Sequence, residues 1–125
     1  MSKKKMLDTA DILANVIIKG MQENKAKDIV SLNLKDINTA VCDYFIICHG
    51  TSNTHVSSTS DSVINETLKT LKEKPFNREG MENGEWVLLD YGNVVVHIFQ
   101  KETRNFYNIE KLWGDANIDY IKEIA

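Results

Sequence analysis

The segment Trp86-Val87-Leu88-Leu89-Asp90-Tyr91-Gly92-Asn93-Val94-Val95-Val96-His97-Ile98-Phe99 constrains the fold of this chain more than any other. Two runs of β-forming residues meet at Gly92, so Glu85 to Gln100 reads as a β-hairpin around Tyr91-Gly92-Asn93. Side chains alternate between the two faces of a strand. With a two-residue loop the central pair is Tyr91-Gly92 or Gly92-Asn93, and both choices divide the side chains in the same way. One face carries Val87, Leu89, Tyr91, Val94, Val96 and Ile98 and is apolar enough to lie on a core. The other carries Trp86, Leu88, Asp90, Val95, His97 and Phe99. A face that mixes large aromatics with polar groups suits a partner surface. A sheet covered by helices on both sides would instead bury Trp86 and Phe99 as ordinary core.

The flanking segments supply the other elements. Residues 6 to 24 read as a helix, with Leu7, Leu13, Val16, Ile17 and Met21 at helical spacing and Ile12 and Ile18 widening the stripe. Asp28 to Leu34 suggests a strand, and Asp36, Asn38 and Thr39 mark a loop. Val41 to Cys48 is a short apolar run interrupted only by Asp43, the signature of a buried strand. After His49-Gly50-Thr51, Ser52 or Asn53 is placed to cap a second helix, which runs to about Lys72 before Pro75. Glu79 to Gly84 is a glycine-bounded turn region. A third helix is expected from about Glu102 to Trp113, stopped by Gly114. Its Phe106, Tyr107, Ile109, Leu112 and Trp113 are too many large apolar side chains for one stripe, so either two sides are buried or one meets a partner. The order implies a single α/β (α+β) domain over 1–125, with a mixed β-sheet flanked by helices. Its core is expected over about 6–113, and 114–125 is expected to be a tail or a loosely packed last turn.

Charge and composition narrow the function. Of 125 residues, 15 are Lys or Arg and 18 are Asp or Glu, a net charge of -3. A general nucleic-acid binder needs a basic surplus, so no dedicated nucleic-acid site is expected. A basic protein partner fits an acidic patch better. The two cysteines, Cys42 and Cys48, are expected on one face of one strand, too far apart along it for a disulfide. Lys3, Lys4 and Lys5 are followed by apolar positions that Asp8, Asp11 and Asn15 interrupt, so no signal peptide is read. No apolar run is long enough for a membrane span, and the expected location is the cytoplasm.

Candidate chemistry is thin. Cys42, Cys48, His49, His55 and His97 lack the paired ligand spacing of zinc sites. A nucleophile pair of Cys48 with His55 or His97 competes with inert packing of a strand cysteine. Gly50-Thr51-Ser52 joins a strand to a helix, a position suited to phosphate, yet it lacks the Walker and G-x-G-x-x-G patterns. Asp43, Asp61 and Asp90 have no paired spacing for catalytic metals. Lys69-Thr70-Leu71-Lys72-Glu73-Lys74 reads as a solvated helix face. No catalytic residue, cofactor or metal is therefore assigned.

An ordered set of motifs is more specific than any of these. It comprises Cys42-Asp43-Tyr44-Phe45-Ile46-Ile47-Cys48, Gly50-Thr51-Ser52 with His55-Val56, Glu79-Gly80, Gly84 and the hairpin from Trp86 to Phe99. Arg104, Phe106-Tyr107, Ile109-Glu110 and Leu112-Trp113-Gly114-Asp115 complete it. Over roughly residues 6 to 115 this resembles the ribosomal silencing factor (Iojap-like) family. The resemblance implies a mixed sheet distantly similar to nucleotidyltransferases, without their catalytic groups. It also implies binding to the fourteenth protein of the large ribosomal subunit at the intersubunit face. Docking of the small subunit would be obstructed, and translation lowered when nutrients are short. Homodimers are known among members. Motifs and faces together nominate Trp86, Leu88, Asp90, Tyr91, His97, Tyr107 and Trp113 as partner-binding residues, with the two tryptophans as anchors. The chain departs from the family after Gly50-Thr51-Ser52, where Asn53 to Asp61 carries none of the usual basic residues. A large-subunit assembly factor or a nucleotidyltransferase-type enzyme are the alternative readings, and the enzyme would need nucleotide and metal.

Overall fold

A computed structural model describes residues 9–123. Leu7, expected on the first helix, lies outside them. Within them run α1 (Thr9–Glu23), β1 (Lys27–Asn33), β2 (Tyr44–Gly50), α2 (Asn53–Leu71), β3 (Asn77–Glu79), β4 (Trp86–Asp90), β5 (Val94–Gln100), α3 (Lys101–Tyr107), α4 (Ile109–Leu112) and β6 (Asn117–Tyr120). The strands form one sheet in the order β3-β4-β5-β2-β1-β6. β2 and β5 pair in parallel, and every other neighbour is antiparallel. This is the mixed sheet read from the sequence.

The hairpin turns at Gly92-Asn93. Tyr91 N–H donates to the Val94 carbonyl at 2.9 Å, and Gly92 takes a φ of 88°, a conformation a side chain would strain. Trp86 faces Phe99 and Leu88 faces His97 across the strands. The apolar face, Val87 to Ile98, joins the main core with Leu13, Ile17 and Met21 of α1 and Val56 and Val63 of α2. The two helices approach closely at Gly20. A Cβ there would lie 2.8 Å from Val63 Cα, and Ser62 Oγ donates to the Gly20 carbonyl at 2.7 Å. Ser52 caps α2 by accepting from His55 N–H at 3.0 Å, and Lys72 closes it in the left-handed region, its N–H donating to the Leu68 carbonyl. A second, smaller core lies on the opposite face, where Phe99, Ile47, Val30 and Leu32 pack under Ile109 and Trp113.

Three expectations need correction. The third helix is two, because Asn108 adopts φ 47° and breaks the ladder between α3 and α4. Residues 117–120 form edge strand β6, paired with β1 from Val30 to Asn33, where a tail was expected. Ile118 and Tyr120 do alternate with Asn117 and Asp119, but a run of four residues is too short for that alternation to mark a strand. Cys42 and Cys48 lie on opposite faces, in the second and first cores respectively. β2 begins only at Tyr44, and the bends before it take Cys42 off the strand's alternation. Both cysteines are free thiols.

Candidate partner-binding surface

The second face of the sheet is half covered. α3 and α4 seal Phe99 completely and leave Trp86, Leu88, Val95, Phe45 and Trp113 partly open. The aromatic rings there form a continuous chain. Phe106 meets Tyr107 edge-on at 5.0 Å, and Tyr107 meets Trp86 at 4.8 Å. Trp86 is 6.0 Å from His97, His97 is 4.7 Å from Phe45, and Phe45 is 5.8 Å from Trp113. Centroid spacings of this size suit tilted and edge-to-face pairs, which stiffen one another. Tyr107 is 53% exposed, Leu112 77% and Phe106 80%, so the chain ends in apolar groups open to solvent.

Of the seven residues nominated from sequence, four are linked in this chain: Trp86, His97, Tyr107 and Trp113. Leu88 sits on the same face beside His97. Asp90 closes the strand at the turn, where its Oδ1 accepts from Gly92 N–H at 2.8 Å and leaves the carboxylate partly open. Tyr91 does not belong with them. It is 5% exposed on the helix-covered face, and its hydroxyl is 2.9 Å from Thr67 Oγ1. Alternation places it in the core, and the turn begins only after it. His97 is also 5% exposed, so it supports the surface without presenting it. Trp86 Nε1–H donates to His97 Nδ1 at 3.1 Å, and burial pushes the imidazole down to about 4. A neutral His97 thus holds the indole in position. Phe45 was missed as a surface residue. The alternation of β2 puts it on the His97 face, but only the parallel pairing of β2 with β5 brings the two rings together.

The candidate chemistry is dispersed. Cys48 is fully buried among apolar groups that push its thiol up to about 12, and it lies on the face opposite His97. His55 Nε2 bonds the Asn24 carbonyl at 2.7 Å, tying α2 to the end of α1. Asp61 is exposed on α2, away from Asp43 and Asp90 beside the hairpin turn. Among the described residues no group of three or more His, Cys, Asp or Glu is placed to hold a metal ion.

A family model described as ribosomal silencing factor during starvation matches residues 7–125. The chain belongs to the ribosomal silencing factor family. It is 40% identical over 107 residues to the ribosomal silencing factor of Halalkalibacterium halodurans, covering 83% of this chain and 87% of that one. It is 41% identical over 95 residues to that of Bacillus subtilis, covering 75% and 78%. A mouse protein named mitochondrial assembly of ribosomal large subunit protein 1 is 28% identical over 107 residues, 84% of this chain and 46% of that one. A crystal structure of a Chromobacterium violaceum protein superposes with a TM-score of 0.78 at 31% identity, covering 92% and 94%. In this chain the silencing-factor fold carries the half-covered aromatic face described above. Among the described residues no helix is long and apolar enough to cross a membrane.

Proposed function

We propose that this chain binds the large ribosomal subunit through its fourteenth protein, at the intersubunit face, and represses translation in the cytoplasm by blocking subunit joining when nutrients are short. The observation that carries the reading is the ring chain from Phe106 to Trp113 on a sheet face that helices leave half open. Trp86 and Trp113 supply rigid aromatic anchors, and Leu88, Tyr107 and Phe45 extend the apolar contact. Asp90, at the rim, supplies a carboxylate for a basic group of the partner. A net charge of -3 favours a basic protein surface over bare phosphate. A blocker needs affinity and bulk at the docking face and no catalysis. An area of about 800 Å² per partner is what a standard interface requires, and one sheet face with a short helix pair is of that order.

The test is co-sedimentation of the purified chain with isolated large and small subunits at two salt concentrations. Selective pelleting with the large subunit, only modestly weakened by salt, is the expected result. Absence from both pellets would sink the proposal. A second reading, an assembly factor for the large subunit, is favoured by the mouse relative's name. It needs the same docking. Depletion would then accumulate incomplete large subunits in gradients, where a silencer's loss would leave excess joined ribosomes under starvation.

A further inference from the structure

The parallel strands β2 and β5 end side by side at Gly50 and Gln100. From there the chain leaves in opposite directions. β2 feeds α2, which packs into the main core, and β5 feeds α3, whose Arg104 reaches His49 on the other face. Adjacent parallel strands with connections to opposite faces open a crevice at their carboxyl ends, the usual ligand position in open α/β sheets. A hollow of about 340 Å³ occupies that place, and a second of about 380 Å³ adjoins it over β1 and β6, the two sharing His49 and Lys101 as walls. That volume is in the range of small-molecule sites.

The polar groups in it are built, not incidental. Arg104 is 7% exposed and holds Glu110 through two contacts, at 2.9 and 3.1 Å. Its Nη1 donates to His49 Nδ1 at 2.9 Å. A guanidinium only donates, so His49 Nδ1 is the acceptor and the ring proton lies on Nε2. His49 is itself 7% exposed, and among the described residues its Nε2 has no hydrogen-bond partner. Lys101 is exposed and forms no ion pair among the described residues. One wall therefore offers an N–H and an ammonium for an oxyanion. The far wall offers the partly buried Ile121, the 73% exposed ring of Tyr120 at the rim, and the Asp28 carboxylate.

We infer that this crevice binds a nucleoside phosphate, its phosphate against Lys101 and His49 and its base against Tyr120. Asp28 accepts from the sugar hydroxyls. Charge-assisted bonds fix the phosphate, and stacking on an aromatic ring tolerates any base. The site is separate from the aromatic partner face and involves no metal and no bond breaking.

The test titrates the full chain, without magnesium, with AMP, GMP, CMP and UMP. Inorganic phosphate and the free nucleosides are run beside them, followed by two-dimensional NMR. At least one monophosphate is expected to saturate, shifting residues at 28–30, 49–51, 101–108 and 120–121. Phosphate and nucleoside alone should bind about tenfold or more weakly, each lacking half of the contacts. Lys101→Glu should weaken binding by about tenfold to a hundredfold, the worth of a charge-assisted bond. Tyr120→Ala should weaken it severalfold, and both variants should melt as the parent does, since both side chains are exposed. No saturation by any monophosphate at millimolar concentration overturns the inference. So does binding that Lys101→Glu leaves unchanged, or inorganic phosphate binding as tightly as the nucleotides.

Discussion

Trp86 Nε1–H donates to His97 Nδ1, and an indole nitrogen has no acceptor role. A neutral His97 therefore carries its proton on Nε2, which is buried with no hydrogen-bond partner among the described residues. Protonating Nδ1 would break the indole bond and place a charge among aromatic rings. Burial accordingly lowers His97 from its ordinary 6.5 to about 4. In the unfolded chain the ring takes up a proton as pH falls through 6.5, and in the folded chain it does not until about pH 4. Stability is thus full above 6.5 and declines across that window, by on the order of 3 kcal/mol in total. Burial lowers His49 as well, with the same sign. His97→Asn keeps an acceptor near Nδ1, so urea unfolding from pH 7 to 4.5 should give a flatter profile for this variant than for the parent. Equal slopes would show that His97 does not set the acid limit. Asp90 allows a cleaner separation of roles. Asp90→Asn keeps the Oδ1 acceptor for Gly92 N–H and removes the charge. Folding stability should change by less than about 0.5 kcal/mol, while large-subunit binding falls severalfold. A stability loss matching the binding loss would make Asp90 a turn residue only.

At the scale of elements, the contact between α1 and α2 depends on the missing side chain at Gly20. A methyl group there meets Val63 backbone, which cannot rotate aside. Gly20→Ala should cost about 1–3 kcal/mol in denaturant titrations despite alanine's better helix propensity. A neutral or stabilising result would mean that the helix pair can slide apart without loss. β6 is the other dependent element. It covers the outer edge of β1, pairing Val30 with Tyr120 and Asn33 with Asn117. Ending the chain after Ala116 should leave the sheet folded but speed amide exchange in β1 and promote association through the bared edge. Unchanged exchange from Val30 to Asn33 would show that β6 contributes no protection. The break at Asn108 matters for the same surface, because it lets α3 deliver Tyr107 to Trp86 while α4 turns Trp113 toward Phe45.

For the whole molecule, the two faces of one sheet have different fates. α1 and α2 bury the central strands of the first, and the short α3–α4 pair closes only part of the second. The proposed docking uses what remains open on the second face. The proposed ligand crevice lies at the sheet's end, where the parallel pair diverges. If both proposals hold, variants at Lys101 and Asp90 should separate cleanly, each disturbing one binding event.

The hairpin and the division of its two faces were legible in the residues, because strand alternation is a local property, while the choice of Gly92-Asn93 as the turn pair came from the Tyr91–Val94 hydrogen bond. The family was legible too, through ordered motifs that no single element contains. Which side chains of the mixed face remain accessible depends instead on packing between distant segments. Phe99 and Trp86 lie opposite one another on the same face, yet one is sealed and the other half open, since burial depends on where α3 and α4 end. Tyr91 left the surface for a different reason, since alternation turns it to the first face and α2 covers it there, while the pairing of β2 with β5 added Phe45. The crevice was invisible in the chain, because residues at 28, 49, 101 and 120 meet only through strand order. Alternation fixes the face on which a side chain stands, and packing between distant segments fixes what covers it.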